Sequence, residues 1–127
     1  MLGEGANREA VVGRLRFKKL RTDREVFVLT QIVAQECGVC LTRLLRRSRG
    51  SGRAARARQI AIYLAHVSLS RPQDVVAELF SRERTTVTHA IQTMEDQRDD
   101  PAVDALLDRI EQRVARAMPR REVDHAA

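Results

Sequence analysis

The chain has 127 residues, 43% of them hydrophobic and only 3% aromatic, which allows one small aliphatic core in a single domain. Its net charge of +6 is uneven: residues 1–59 hold 14 Arg/Lys against 5 Asp/Glu, and residues 60–127 hold 9 against 12. No apolar run approaches the ~20 residues that cross a bilayer, and no hydrophobic signal region opens the chain, so a cytoplasmic protein without a membrane partner is expected.

Ala, Leu, Arg, Glu and Gln dominate, and alternating β-branched runs are few, which predicts an all-α fold. Of the 23 basic residues 21 are Arg, with Lys18 and Lys19 the exceptions. A guanidinium binds phosphate in a fork, but a GC-rich genome inflates arginine too, so clustering says more than number. Residues 1–23 carry Gly3, Gly5 and Asn7, then Arg14, Arg16, Lys18, Lys19 and Arg21. They read as a basic arm, either a short amphipathic helix on Val11, Val12, Leu15 and Leu20 or a segment that orders on a polyanion.

Residues 24–36 predict a helix with Leu29, Ile32 and Val33 inside, ended by Gly38. Residues 41–46 give one or two turns, with Leu41, Leu44 and Leu45 inward and Thr42 and Arg43 outward. Between them Cys37 and Cys40 form a single C-x-x-C. It has no second pair and no companion histidine spacing, so neither zinc nor another metal is expected. A half-buried Cys37 and a Cys40 near a helix start are expected instead.

Residues 46–58 carry Arg46, Arg47, Arg49, Arg53, Arg56 and Arg58 among Gly, Ser and Ala, with no acidic residue. The stretch reads as a basic loop running into a helix. Either it is a solvated linker, or its arginines, which repel one another, bind phosphate. The helix, about 54–67, buries a stripe of Ile60, Tyr63, Leu64 and Val67, with Ala57 and Ala61 allowing close packing. Ser68, Ser70 and Pro72 break the chain, and a helix over about 72–80 follows with Val75, Val76, Leu79 and Phe80 inside.

The next helix begins near Arg84 or Thr85. Val87, Ala90, Ile91 and Met94 make its apolar stripe, and Thr85, Thr88, His89 and Gln92 its opposite face. Short hydroxyls with arginine at a helix start suit a base-pair edge in a groove. A solvated helix capped by Thr85 or Ser81 is the alternative. Two helices joined by so short a turn make a helix-turn-helix. Asp99, Asp100 and Pro101 close this helix, and a last one over about 101–118 packs Val103, Leu106, Leu107, Ile110 and Val114 on one face. Residues 119–127 are expected to fray.

The stretches Ala57-Arg58-Gln59-Ile60-Ala61-Ile62-Tyr63-Leu64-Ala65 and Arg82-Glu83-Arg84-Thr85-Thr86-Val87-Thr88-His89-Ala90 carry a family likeness. Residues 25–118 resemble domain IV, the DNA-binding domain, of the bacterial replication initiator DnaA. Cys37-Gly38-Val39-Cys40 and Leu44-Leu45-Arg46-Arg47 run in register with it. The resemblance implies a small helical bundle with a Trp-repressor-like helix-turn-helix over 24–118. It implies that Arg58 reaches a minor groove, and that Glu83, Arg84, Thr85 and Thr86 meet base edges in the major groove. Arg71, Arg82 and His89 would hold phosphates, joined by Thr88, Gln92 and the arginines at 46, 47, 49, 53 and 56. The family usually reads Gly-Arg-Asp-His-Thr-Thr where this chain has Ser81-Arg82-Glu83-Arg84-Thr85-Thr86, so the preferred site is expected to differ from the usual DnaA box. Cys40 stands where a capping Ser is common in the family.

No G-x-x-x-x-G-K-[ST] loop occurs, and no nucleophile pairs with a base. The expectation is therefore a non-enzymatic, cofactor-free, nucleoid-associated protein. It would bind double-stranded DNA at a DnaA-box-like element and regulate replication initiation or transcription, with replication or transcription proteins as possible partners. A protein-interaction module that keeps the fold but has lost specific DNA binding is the alternative, and a redox or metal enzyme on Cys37 and Cys40 a distant third. Oligomeric state is not readable from the sequence.

Overall fold

Six consecutive residues, Ile60 to Ala65, are all buried, which no amphipathic surface helix allows. They belong to the central helix of the bundle. The computed structural model describes residues 18–46 and 52–118, and among them six helices follow a helical turn at residues 18–21. They are α1 (Arg24–Cys37), α2 (Leu41–Leu45), α3 (Gly52–Val67), α4 (Gln73–Phe80), α5 (Arg84–Gln97) and α6 (Pro101–Ala117). No strand occurs among the described residues, so the all-α expectation holds.

The helix ends follow local chemistry. Asp23 caps α1 by accepting from the Val26 N–H at 3.2 Å. Gly38 ends α1 in the left-handed region at φ 68°, where its N–H reaches the Ala34 and Gln35 carbonyls. Asp100 caps α6 by accepting from Ala102 N–H at 2.9 Å, with Pro101 in the first turn. Thr30 is the buried polar side chain of the core, satisfied by donating to the Val26 carbonyl at 2.7 Å.

α3 packs against α1, α2, α4 and α5, while α6 lies on α1. This is why the stripe expected on α3 becomes burial on every side over residues 60–65, small Ala57, Ala61 and Ala65 letting neighbours approach. Two expectations fail at its margins. Val67 is 42% exposed, because it is the last residue of α3 and the chain turns away there. Val75 is 38% exposed: on so short a helix Val76, Leu79 and Phe80 fill the inward face. Leu20 is fully buried, so the core reaches into the segment assigned to the N-terminal arm. Burial of a leucine is worth about 1.5–3 kcal/mol. The remainder of that arm, residues 1–17, and the tail from 119 lie outside the described residues, as does the loop of residues 47–51.

α4 and α5 pack together, Val76, Leu79 and Phe80 of one joining the core cluster with Val87, Ala90 and Met94 of the other. The turn between them is Ser81 to Glu83. Ser81 ends α4 at φ 54°, its N–H bonded to Glu78 O, while the Arg82 N–H returns to Ala77 O at 2.9 Å. This is a tight helix-turn-helix. A non-glycine residue holds the left-handed position in it.

Candidate nucleic-acid interface

The site is built where three helix ends meet. α2 is only five residues long, so its last carbonyls have no intrahelical donors. Two guanidiniums fill that gap. Arg58 of α3 donates from Nε to Leu44 O at 2.9 Å and from Nη2 to Arg46 O at 3.2 Å. Arg82, just before α5, donates from Nη2 to the same Arg46 carbonyl at 2.6 Å and to Leu45 O at 3.4 Å. Arg58 and Arg82, 24 positions apart in sequence, therefore share one acceptor. These carbonyl contacts fix the position of both guanidiniums.

The first turn of α5 begins two residues after Arg82. Glu83 is its N-cap residue and makes no side-chain cap bond, so the alternative of a cap by Thr85 or Ser81 is not found. Arg84, Thr85 and Thr86 are all exposed, as are Thr88, His89 and Gln92, while Val87, Ala90 and Met94 face the core. The threonines thus stand on the outer surface of the first turn of α5, three and four residues after Arg82. Ile91, placed on the apolar stripe, is partly buried against the core.

The other residues assigned from sequence separate into groups. Arg46 and Arg53 are exposed. Arg47 and Arg49 lie outside the described residues. Arg56 is half-buried and donates to Gln97 Oε1 at 2.9 Å. That ties it to the last residue of α5, roughly 18 Å along the helix axis from Thr85 at 1.5 Å per residue. Arg71 departs furthest from its expected role. Its Nε meets Asp23 at 2.6 Å, its Nη2 meets Glu25, and its Nη1 donates to Leu69 O. Two carboxylates neutralise it, and the arginine in turn holds the Asp23 carboxyl below its usual range. Arg71 fastens the α3–α4 loop to the start of α1 instead of standing open to a phosphate.

Gln92 is exposed and donates to Asp96 at 3.1 Å. Thr88 donates to Gln73 Oε1 at 2.7 Å and lies 3.1 Å from the Arg84 carbonyl. Gln73, the first residue of α4, was not singled out from sequence. Through Thr88 it links the first helix of the motif to the second. The sequence signal was a long amide just after Pro72, at a helix start that faces the following helix.

Cys37 is half-buried and Cys40 exposed at the N-cap position of α2. Burial pushes the Cys37 thiol up, against a smaller opposing effect of Arg56. Among the described residues no cluster of three or more His, Cys, Asp or Glu could hold a metal, and no helix is long and apolar enough to cross a membrane.

A search of curated sequences gives no match. Among solved structures, the crystal structure of a DNA replication initiation factor aligns with a TM-score of 0.66 at 25% identity. The alignment covers 87% of this chain and 35% of that one, so the chain spans about a third of that protein's length. The family model described as the bacterial dnaA protein helix-turn-helix matches residues 26–94, more than half of the chain. That span begins in α1, takes in the shared Arg46 carbonyl, and ends on the last buried residue of α5. The chain belongs to the family of the bacterial DnaA helix-turn-helix, a DNA-binding domain.

Proposed function

We propose that this protein binds double-stranded DNA sequence-specifically at a DnaA-box-like element and thereby regulates replication initiation or transcription. The observation that carries the reading is the convergence of Arg58 and Arg82 on one carbonyl, with the exposed threonines of α5 following Arg82 by three and four residues. A helix entering the major groove with short hydroxyls at its start lets the backbone approach the bases. Thr85 and Thr86 then meet thymine methyls or acceptors, and Arg84 takes the two acceptors of a guanine. Glu83 accepts from a cytosine amino group. Arg58, on the adjoining surface, reaches the neighbouring minor groove, where narrow A·T-rich segments attract a guanidinium.

Phosphate contacts fall to Arg46, Arg53, His89, Gln92 and Thr88, the last oriented by Gln73. Arg82 shapes the site from behind, while Arg56 and Arg71 are occupied elsewhere. The family match weighs against a fold kept only for docking proteins.

The test is fluorescence anisotropy of a duplex carrying a DnaA box against a scrambled duplex at physiological salt. A preference of about 10³-fold or more for the box or a close variant is expected of a specific binder. Equal affinity for both duplexes overturns the reading.

A further inference from the structure

An open cleft of about 540 Å³ lies beside this interface, lined by Gly38, Val39, Cys40, Arg43 and Arg53. Its floor is the turn between α1 and α2. Arg53 Nη1 stands 3.8 Å from where a Cβ on Gly38 would be, so its guanidinium lies over that turn. Arg43 and Arg53 are both exposed, and among the described residues neither side chain makes a hydrogen bond or ion pair. The carboxylate that precedes the cleft, Glu36, is turned to Arg109 and Arg113 at 2.9 Å each. Two like charges in one concavity without a counter-charge repel each other until an anion joins them.

The cleft continues the surface already described. Arg43 lies three residues before Arg46, about 4.5 Å along α2, and Arg53 five residues before Arg58, about 7.5 Å along α3. α2 runs from the cleft to the shared carbonyl at Arg46, and α3 carries Arg53 at its start and Arg58 about one and a half turns on. We propose that Arg43 and Arg53 bind a DNA backbone phosphate in this cleft. The contact extends into the duplex flanking the base pairs read by α5, on the Arg58 side. It rests on the duplex-binding reading and adds Arg43, which the sequence left as an outward-facing residue, to the binding surface.

The cleft supplies its own reporter, since Cys40 lines it and is exposed while Cys37 is half-buried. In the full chain carrying Cys37→Ser, alkylation by N-ethylmaleimide reads the state of Cys40. A DnaA-box duplex with about one helical turn of flank on each side should slow alkylation about tenfold, and removing the Arg58-side flank should restore the DNA-free rate. An unchanged rate with the flanked duplex bound overturns the proposal. So does equal protection by inorganic pyrophosphate alone, which would make the cleft a free-anion site. Independently, Arg43→Ala should lower the salt slope of duplex binding by about 0.9. Wild type then loses about 3- to 4-fold more affinity than the variant between about 50 and 200 mM salt, and identical slopes count against the cleft. A protein that binds no duplex at all sinks the functional reading and this one together; duplex binding with Cys40 unprotected sinks this one alone.

Discussion

Arginine does opposite work at the two ends of this molecule. At the far end of α5, Arg98 meets Asp104 at 2.8 Å, Asp108 at 3.5 Å and Glu111 at 3.4 Å, and donates to the Tyr63 hydroxyl while lying over its ring. Arg109 and Arg113 both hold Glu36. There each guanidinium finds carboxylates, the charge is cancelled within the fold, and the product is rigidity between α1, α3, α5 and α6. At the near end, Arg58 and Arg82 are held by backbone carbonyls, and Arg43, Arg46, Arg53 and Arg84 stand exposed. There backbone carbonyls fix the position of two guanidiniums, and four more stand at the surface. The difference teaches that a guanidinium's partner, and not its presence, decides whether it is available to a phosphate.

The sharpest way to break the comparison is to remove one arginine from each end. Arg58→Ala should reduce the ratio of specific to random-duplex affinity by about 5- to 150-fold, the range of about 1–3 kcal/mol for a good base contact, with a stability loss of about 1–3 kcal/mol as the Leu44 carbonyl loses its donor. Anisotropy on both duplexes reads it, and equal loss on the two would remove Arg58 from the base readers. Arg98→Met should act on the fold alone. It should destabilise the fold by about 1–2 kcal/mol in urea melts, because three carboxylates lose a half-buried partner, while the salt slope of DNA binding stays unchanged. A change in that slope would mean the far end also touches DNA.

Acid offers a smaller test of the arginines paired with carboxylates. Arginine hydrogen bonds lower the carboxyls of Asp23, beside Arg71, and Glu36, beside Arg109 and Arg113, from ordinary values of 3.8 and 4.5. Groups depressed on folding stabilise the protein fully above their unfolded values and lose that contribution as pH falls through the folded ones. Stability should therefore hold above about pH 5 and decline below about pH 4. The Asp23→Asn/Glu36→Gln double variant should be less stable at neutral pH by within about 1 kcal/mol per site and show a shallower acid decline. An unchanged acid limb in chemical denaturation would show that these pairs contribute nothing. The smallest effect is expected from Ser81→Gly. It relieves a left-handed residue at φ 54° but frees the unfolded chain, for a net gain of about 0.5–1 kcal/mol. A lower melting temperature would mean that the Ser81 side chain stabilises the turn by a contact of its own.

Much of the scaffold was legible in the chain. Apolar spacing located α1 and α4 to α6 to within a residue or two, since a 3.6-residue period is set by each helix alone. Gly38 and Asp100–Pro101 marked helix ends because capping satisfies backbone groups a few residues away, while the cap at Asp23 was not read. The outward face of Thr85, Thr88, His89 and Gln92 was equally readable, because its complement Val87, Ala90 and Met94 had to be buried. Less legible were Gln73, whose meaning depends on Thr88 across the motif, and Val67 and Val75, whose exposure depends on where neighbouring helices stop.

Sequence by itself thus determined an all-helical chain with a polar-faced second helix in a helix-turn-helix, and a preceding run of arginines. Tertiary structure alone decided which arginines stay available. Arg71 is cancelled by Asp23 from 48 positions away, and Arg82 is set by the Arg46 carbonyl from 36. Helix formation is settled by neighbours within a turn or two. Charge neutralisation needs an opposite group brought within about 4 Å, and only packing can bring it there.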